Sequence, residues 1–189
     1  MRKVILSVNI TMDGLMAGPN GELDWHYDYW NDEMAKESSA ILNNTGAIVV
    51  GRVTYLALLK YWSQVAVSPL STTTDRSYAR LICGIPKIVF SNTLTHVNHY
   101  QSTLAKGNLQ EEILALKMQQ GKNILSWGGV NMAYSLIEAG LVDVYLLWVA
   151  PVILYTGVPL FKDAAEREKL RLIKARHFNN GVVLYYYEL

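Results

Sequence analysis

The chain has 189 residues, 51% hydrophobic and 17% charged, with a formal net charge of +1. That balance excludes a disordered chain, and its unclustered basic residues leave no electrostatic footprint for nucleic acid. The single cysteine, Cys83, excludes an intramolecular disulfide and a multi-cysteine zinc site.

Residues 1–14, MRKVILSVNITMDG, carry an apolar run too short and too interrupted for a signal peptide. Within them, 3–10 (KVILSVNI) reads as a buried strand. The glycine-rich passage TMDGLMAGPNGELDW is too punctuated for regular structure. Residues 31–42 (NDEMAKESSAIL) open on a capping side chain and acids, then space their apolar residues as a helix does. AIVVG at 47–51 is a short strand ended by glycine, and RVTYLALL continues as helix. Residues 69–80 form a polar passage into a short helix ending near Cys83, which the neighbours ARLICGI mark as a small buried residue. PKIVFS at 86–91 is another short strand. Residues 108–118 read as a helix with acids early and Lys117 late, the order its dipole favours.

A strand at 123–127 then stops on Gly128-Gly129, followed by a helix at 130–139 and a strand at 143–149. The longest apolar stretch, 144–154, is too short for a bilayer. A cytoplasmic protein without membrane contact is therefore expected. LRLIKARHF and VVLYYYEL flank Asn180-Gly181, a strong hairpin signal, because both turn residues tolerate positive φ. Strands alternating with helices predict a single α/β domain over 1–189. Its mostly parallel central sheet would be flanked by helices and finished by a C-terminal antiparallel hairpin. The tyrosines at 185–187 are expected at an edge surface or subunit contact.

Three strand ends carry distinctive residues. Gly51-Arg52 directly follows a strand, with Thr54 in the first helical turn. Such a helix start can hold a phosphate, and Arg52 can add a bidentate contact; a tight turn with a surface arginine fits the spacing equally well. Ser91-Asn92-Thr93 can cap a turn or bind ribose and phosphate oxygens. Gly128-Gly129 opens a helix at the carboxyl end of a central strand, where open α/β sheets bind ligands, although it is not the longer dinucleotide fingerprint. Together the three junctions suit an extended phosphorylated ligand lying across the strand ends. The histidines at 26, 96, 99 and 177 lack metal-ligand spacing, so no metal site is expected.

Taken in order, MDGLMAG…LDW, VVGRVTY, PKIVFSNTL, ILSWGGVNMAYSLIEAGLVDVYLL and PVILYTGVPLF resemble the dihydrofolate reductase-like superfamily. The closer resemblance is to its branch related to the reductase domain of bacterial riboflavin biosynthesis, and it spans nearly the whole chain. The resemblance implies NADPH bound across the strand ends. Gly51, Arg52 and Thr54 match the family's cofactor-binding GRxT turn, in which Arg52 would meet the 2′-phosphate and Thr54 the pyrophosphate. Ser91, Asn92 and Thr93 fall at the adenosine end. Gly128, Gly129, Val130, Asn131 and Met132 form the second pyrophosphate and nicotinamide-ribose loop, with a cis peptide joining the two glycines. Asn9 and Met16 lie where backbone meets the nicotinamide carboxamide.

The reaction so implied is hydride transfer to a small heterocyclic (pterin- or pyrimidine-like) or carbonyl substrate. Asp24, beside Trp25, is the candidate proton donor, with Asp28 and Asp32 as competitors; as a loop acid or helix cap it would have no such role. Asp13, in the DG turn, reads as structural. Trp25 and Trp127 are the candidate substrate contacts. Tyr155-Thr156 stands where relatives carry a more glycine-rich turn. The deaminase domain that usually precedes such reductases is not in this sequence, which argues against a ribosylaminopyrimidine. Relatives form homodimers, and strand 143–149 with the tyrosine-rich last strand would suit that contact. The alternative is a non-catalytic nucleotide-binding dimeric scaffold or sensor that keeps the fold.

Overall fold

Strand β1 (Val4–Thr11) runs through the middle of an eight-stranded sheet and sends Val4, Leu6, Val8 and Ile10 into one core cluster, while Ile5 packs on the other face. Burial on both faces is what its nearly continuous apolar sequence requires. The structure, a computed structural model, describes residues 1–99, 101–162 and 167–189.

From β1 the chain moves outward to β3 (Thr45–Gly51), β4 (Lys87–Phe90) and β5 (Ser102–Leu104). It returns to place β6 (Asn123–Trp127) between β3 and β1, then adds β7 (Val144–Ala150) on the far side of β1. All of these strands are parallel, so their carboxyl ends open on one side of the molecule. Between them, β2 (Leu15–Ala17) and β8 (Val158–Pro159) form a small antiparallel sheet. The C-terminal strands β9 (Arg171–His177) and β10 (Val183–Glu188) form the antiparallel hairpin, giving the order β5-β4-β3-β6-β1-β7-β10-β9. The tyrosine-rich strand is thus interior to the sheet and β9 is the edge, because β10 pairs with β7 as well as with its hairpin partner.

Helices α1 (Asp32–Asn43), α2 (Arg52–Val67) and α3 (Thr73–Gly84) cover one face, contributing Leu42, Tyr55, Tyr78 and Ile82 to its core. On the other face, α4 (Leu109–Met118) and α5 (Val130–Glu138) bury Ile113, Met132, Ala133 and Leu136. Lys117 reaches beyond its own helix: its Nζ lies 2.8 and 2.7 Å from the two Asp143 oxygens, and Asp143 also accepts from the Val4 N–H at 2.7 Å. On α1 the buried Glu37 carboxylate accepts from Lys174, Arg176 and the Tyr186 hydroxyl, which fastens the hairpin to the helix layer. Cys83 is half-buried on the last turn of α3 rather than fully enclosed.

The passage after β1 is more regular than its glycines suggest. Besides the β2–β8 pair, Met12 N–H donates to Val152 O at 2.8 Å and Leu160 N–H to Gly14 O at 2.9 Å. A 3₁₀-helix, Asp24–Tyr29, completes the segment. Among the described residues no helix is long and apolar enough to cross a membrane.

Candidate functional site

The helices differ at their starts. A side chain closes the first turn of α1 (Asn31 to Met34 N–H, 3.0 Å), α3 (Thr72 to Asp75 N–H, 3.0 Å) and α4 (Asn108 to Glu111 N–H, 2.9 Å). Helices α2 and α5 begin on Gly51 and Gly129, with no side-chain cap. Their first-turn N–H groups stay open, with the partial positive charge of the helix end behind them.

These two open starts adjoin. A Cβ built on Gly129 would lie 2.5 Å from Thr54 Oγ1, so Thr54 of α2 stands against the opening of α5. Gly129 is therefore fixed as glycine twice, by that contact and by its φ of +83°. Gly128 has φ +55° and donates its N–H to Ser7 O at 3.0 Å. No peptide bond among the described residues is cis. This corrects the cis bond the resemblance implies: positive φ at both glycines turns the chain between β6 and α5 with trans peptides.

Gly51 is different. Its φ is −80°, and a Cβ there would meet nothing within 4 Å. Nothing in the described chain requires glycine at this position, whereas a molecule lying close to the helix start would. Next to it Arg52 is exposed and makes no hydrogen bond or ion pair with a described residue, leaving its guanidinium available to an anion.

The remaining candidates divide between backbone and side-chain roles. Met16 and Met132 turn their side chains into the core, so only their backbone can face a ligand. Asn9 is half-buried beside Trp148 in the β1–β7 register. Ser91 Oγ accepts from Thr93 N–H (3.1 Å) and Leu94 N–H (3.0 Å), capping the turn after β4, while Asn92 and Thr93 are exposed. Val130 is half-buried and Asn131 exposed in the first turn of α5. Lys106, two residues past β5, is exposed, and no local pattern marks it, because a three-residue strand shows no periodicity.

The two candidate tryptophans occupy different surroundings. Trp127, half-buried, meets Tyr78 edge-on at 5.9 Å, and Tyr78 in turn meets Trp30 and Trp62 at 5.2 and 4.8 Å. Trp25 instead lines a cleft of about 170 Å³ with Gly18, Pro19, Glu22, Asp24, Leu154 and Thr156. Of the three candidate acids, Asp24 lines this cleft and Asp28 and Asp32 do not; all three are exposed.

Asp13 has the structural place its turn suggests. Its carboxylate accepts from the Thr11 hydroxyl (2.5 Å), from Tyr155 N–H (2.8 Å) and, more weakly, from Leu154 N–H (3.4 Å). The Thr11 bond leads in holding it below the usual carboxylate range. This clamp brings the loop after β7 to the cleft, with Tyr155 at φ 65°, the one non-glycine residue of positive φ among those described. Glu22, Leu154 and Thr156 were invisible as site residues in the sequence because the two loops meet only through this long-range bonding.

A family model described as RibD C-terminal domain matches residues 2–184. The Bacillus subtilis protein YyaP, itself uncharacterized, is 32% identical over 182 residues, covering 96% of this chain and 92% of its own. A protein of Shewanella sp. PV-4 assigned to riboflavin biosynthesis superposes with a TM-score of 0.73 at 23% identity, covering 98% of each chain. The diaminohydroxyphosphoribosylaminopyrimidine deaminase/5-amino-6-(5-phosphoribosylamino)uracil reductase of Thermotoga maritima gives a TM-score of 0.64 at 18% identity, covering 99% of this chain and 56% of its own.

Proposed function

The chain belongs to the RibD C-terminal domain family, a reductase family, and from that premise we propose that it is an NADPH-dependent reductase of a small ring-bearing or carbonyl acceptor. The observation that carries the reading is the pair of uncapped helix starts in contact through Thr54 and Gly129, with Arg52, unpaired among the described residues, beside them. Two converging sets of open N–H groups suit a pyrophosphate, and a free guanidinium suits one more phosphate.

In this reading Gly51, Thr54 and the first turn of α5 (Val130, Asn131) hold the pyrophosphate, and Arg52 takes the 2′-phosphate. Ser91, Asn92 and Thr93 border the adenosine end, and the backbone of Asn9, Met16 and Met132 borders the nicotinamide. When bound, the cofactor supplies the hydride. The chain supplies orientation, a wall from Trp25, and a proton from Asp24, the candidate acid at the cleft. The acceptor is a pterin- or pyrimidine-like heterocycle or a carbonyl compound. The protein works as a cytoplasmic homodimer, joined through the half-buried Tyr185 and Tyr187, whose rings stack at 5.9 Å on the sheet face opposite α1. Strand β7, paired on both sides and buried, offers no free surface for that contact.

Titration with NADPH and NADH tests the reading. NADPH is expected to bind tighter, and Arg52→Ala to weaken NADPH by about tenfold or more while changing NADH by less than about twofold. Equal weakening of both removes the phosphate role of Arg52. Absence of NADPH binding by the unaltered chain removes the reductase reading, and binding without turnover of any acceptor leaves a sensor.

A further inference from the structure

Helix α2 is apolar on two faces, and the fold uses only one of them. Tyr55, Leu58, Leu59 and Trp62 pack into the core between the helices and the sheet. On the opposite face Val53, Leu56, Lys60, Tyr61, Gln64 and Val67 are all exposed, the two valines to 70% and 81%. A helix apolar all round is normally enclosed, and an exposed apolar stripe marks a contact surface. The stripe runs for about 21 Å along the helix. It is also cationic. Lys60 and, on α3, Arg80 are exposed and bond to no described residue. Asp75, the one acid of the two helices, is already taken up by the Thr72 hydroxyl (2.8 Å) and Trp30 Nε1 (3.4 Å).

The complementary charge lies beside it on the same chain. Residues 22–33, ELDWHYDYWNDE, hold five carboxylates and no lysine or arginine. Of these, Asp24, Asp28 and Asp32 are exposed and bond to no described residue. Leu23 and Tyr27 in the same segment are 45% and 67% exposed. Trp30 joins the two regions: its ring meets Trp62 of α2 at 6.1 Å, and its Nε1 reaches Asp75 of α3. An acidic segment and a basic, apolar stripe thus lie side by side. That arrangement suits an isologous contact, because a two-fold axis between the patches sets each against its opposite on a second copy. Charge complementarity then fixes the register of the pair.

We propose that this face binds a second copy of the chain, the α2 stripe of each lying against residues 22–33 of the other. The contact is separate from that of Tyr185 and Tyr187, which pack on the opposite side of the sheet, so the two together make a dimer of dimers. It does not depend on the reductase reading, and it sets the α2 of one copy beside the segment that carries Asp24 and Trp25 in the other.

Sedimentation velocity on the full chain at low salt is the test. Lys60→Glu places carboxylate against carboxylate and should halve the assembled mass, with a dissociation constant more than about tenfold higher. Asp28→Lys alone should do the same. The double variant Lys60→Glu with Asp28→Lys, which exchanges the two charges, should restore the mass. Leu56→Asp should also halve it and leave NADPH affinity unchanged. Far-ultraviolet circular dichroism on each variant separates loss of the contact from loss of the fold. Halving reads as tetramer to dimer where the Tyr185 and Tyr187 contact stands, and as dimer to monomer where it does not, so the two contacts are judged apart. A monomeric unaltered chain, a mass unchanged by Lys60→Glu, or a double variant no larger than the single ones overturns the proposal.

Discussion

Helices α1, α3 and α4 begin on a side chain that closes the first turn, and α2 and α5 begin on bare glycine. Glycine in place of a capping side chain costs a helix roughly a few tenths of a kcal/mol, so a glycine start is a slightly weaker one that leaves its first N–H groups open. Here the two weak starts meet each other, at the carboxyl ends of β3 and β6. The contrast separates N–H groups that serve the fold from N–H groups left for a ligand, and it can be broken from either side.

The largest effect is expected at Gly129. Gly129→Ala would place a side chain at φ +83° and at 2.5 Å from Thr54 Oγ1. Left-handed backbone alone costs a non-glycine residue about 1–2 kcal/mol. With the clash added, denaturant unfolding should show a loss of about 2 kcal/mol or more, and NADPH binding should fall by more than about tenfold. Thr54→Ala in the same chain should recover part of the stability, because it removes the atom that is struck, while NADPH binding stays weak. An unchanged unfolding midpoint in Gly129→Ala would mean that the two helix starts do not meet as described.

Gly51 and Asn108 form the next test, since their effects should be opposite in kind. Gly51 has an ordinary φ and open space around its missing Cβ. Gly51→Ala should therefore keep stability within about 0.5 kcal/mol, as the poorer helix start is offset by a less flexible unfolded chain. Its NADPH affinity should still fall, by roughly tenfold, because the methyl stands where the ligand approaches. Asn108→Ala should lower stability by about 1 kcal/mol and leave NADPH affinity alone. Loss of stability in the first, or of cofactor affinity in the second, would erase the distinction between the two kinds of helix start.

The main strands and helices were legible because their apolar periods and caps are local. Asn31, Asn108, the acids that follow them and the Asn180-Gly181 turn sit within a few residues of what they control. The short β2, β5 and β8 were not, since two or three residues show no period and each is fixed by a distant partner. Of the site, the glycine turns and Arg52 could be read from spacing. The separation of Trp25 from Trp127, and the clamp from Asp13 to Tyr155 that assembles the cleft, depend on contacts between residues far apart in the chain, Tyr78 with Trp127 and Asp13 with Tyr155 among them. Lys87 was hidden for the same reason: it reads as one polar residue in a short strand and proves to be fully enclosed.

That lysine extends the contrast to the carbonyl end of a helix. Its Nζ donates to Ile82 O (2.6 Å), Ile85 O (2.8 Å) and Cys83 O (3.2 Å), closing the last turn of α3 as Thr72 closes its first. Burial lowers its pKa to about 8, from 10.5 in the unfolded chain. Between those values the unfolded chain holds the extra proton, so stability should rise with pH, by about 1 kcal/mol from roughly pH 7.5 to 9. Above about pH 10 the trend should reverse, because burial raises Tyr145 to about 12 and raises Tyr78 and Tyr186 as well, so the unfolded chain loses those protons first. Urea unfolding across this range should show the rise and the fall in the unaltered chain, and only the fall in Lys87→Met. A rising limb that survives in Lys87→Met would assign it to another group and leave the end of α3 without its ionic cap.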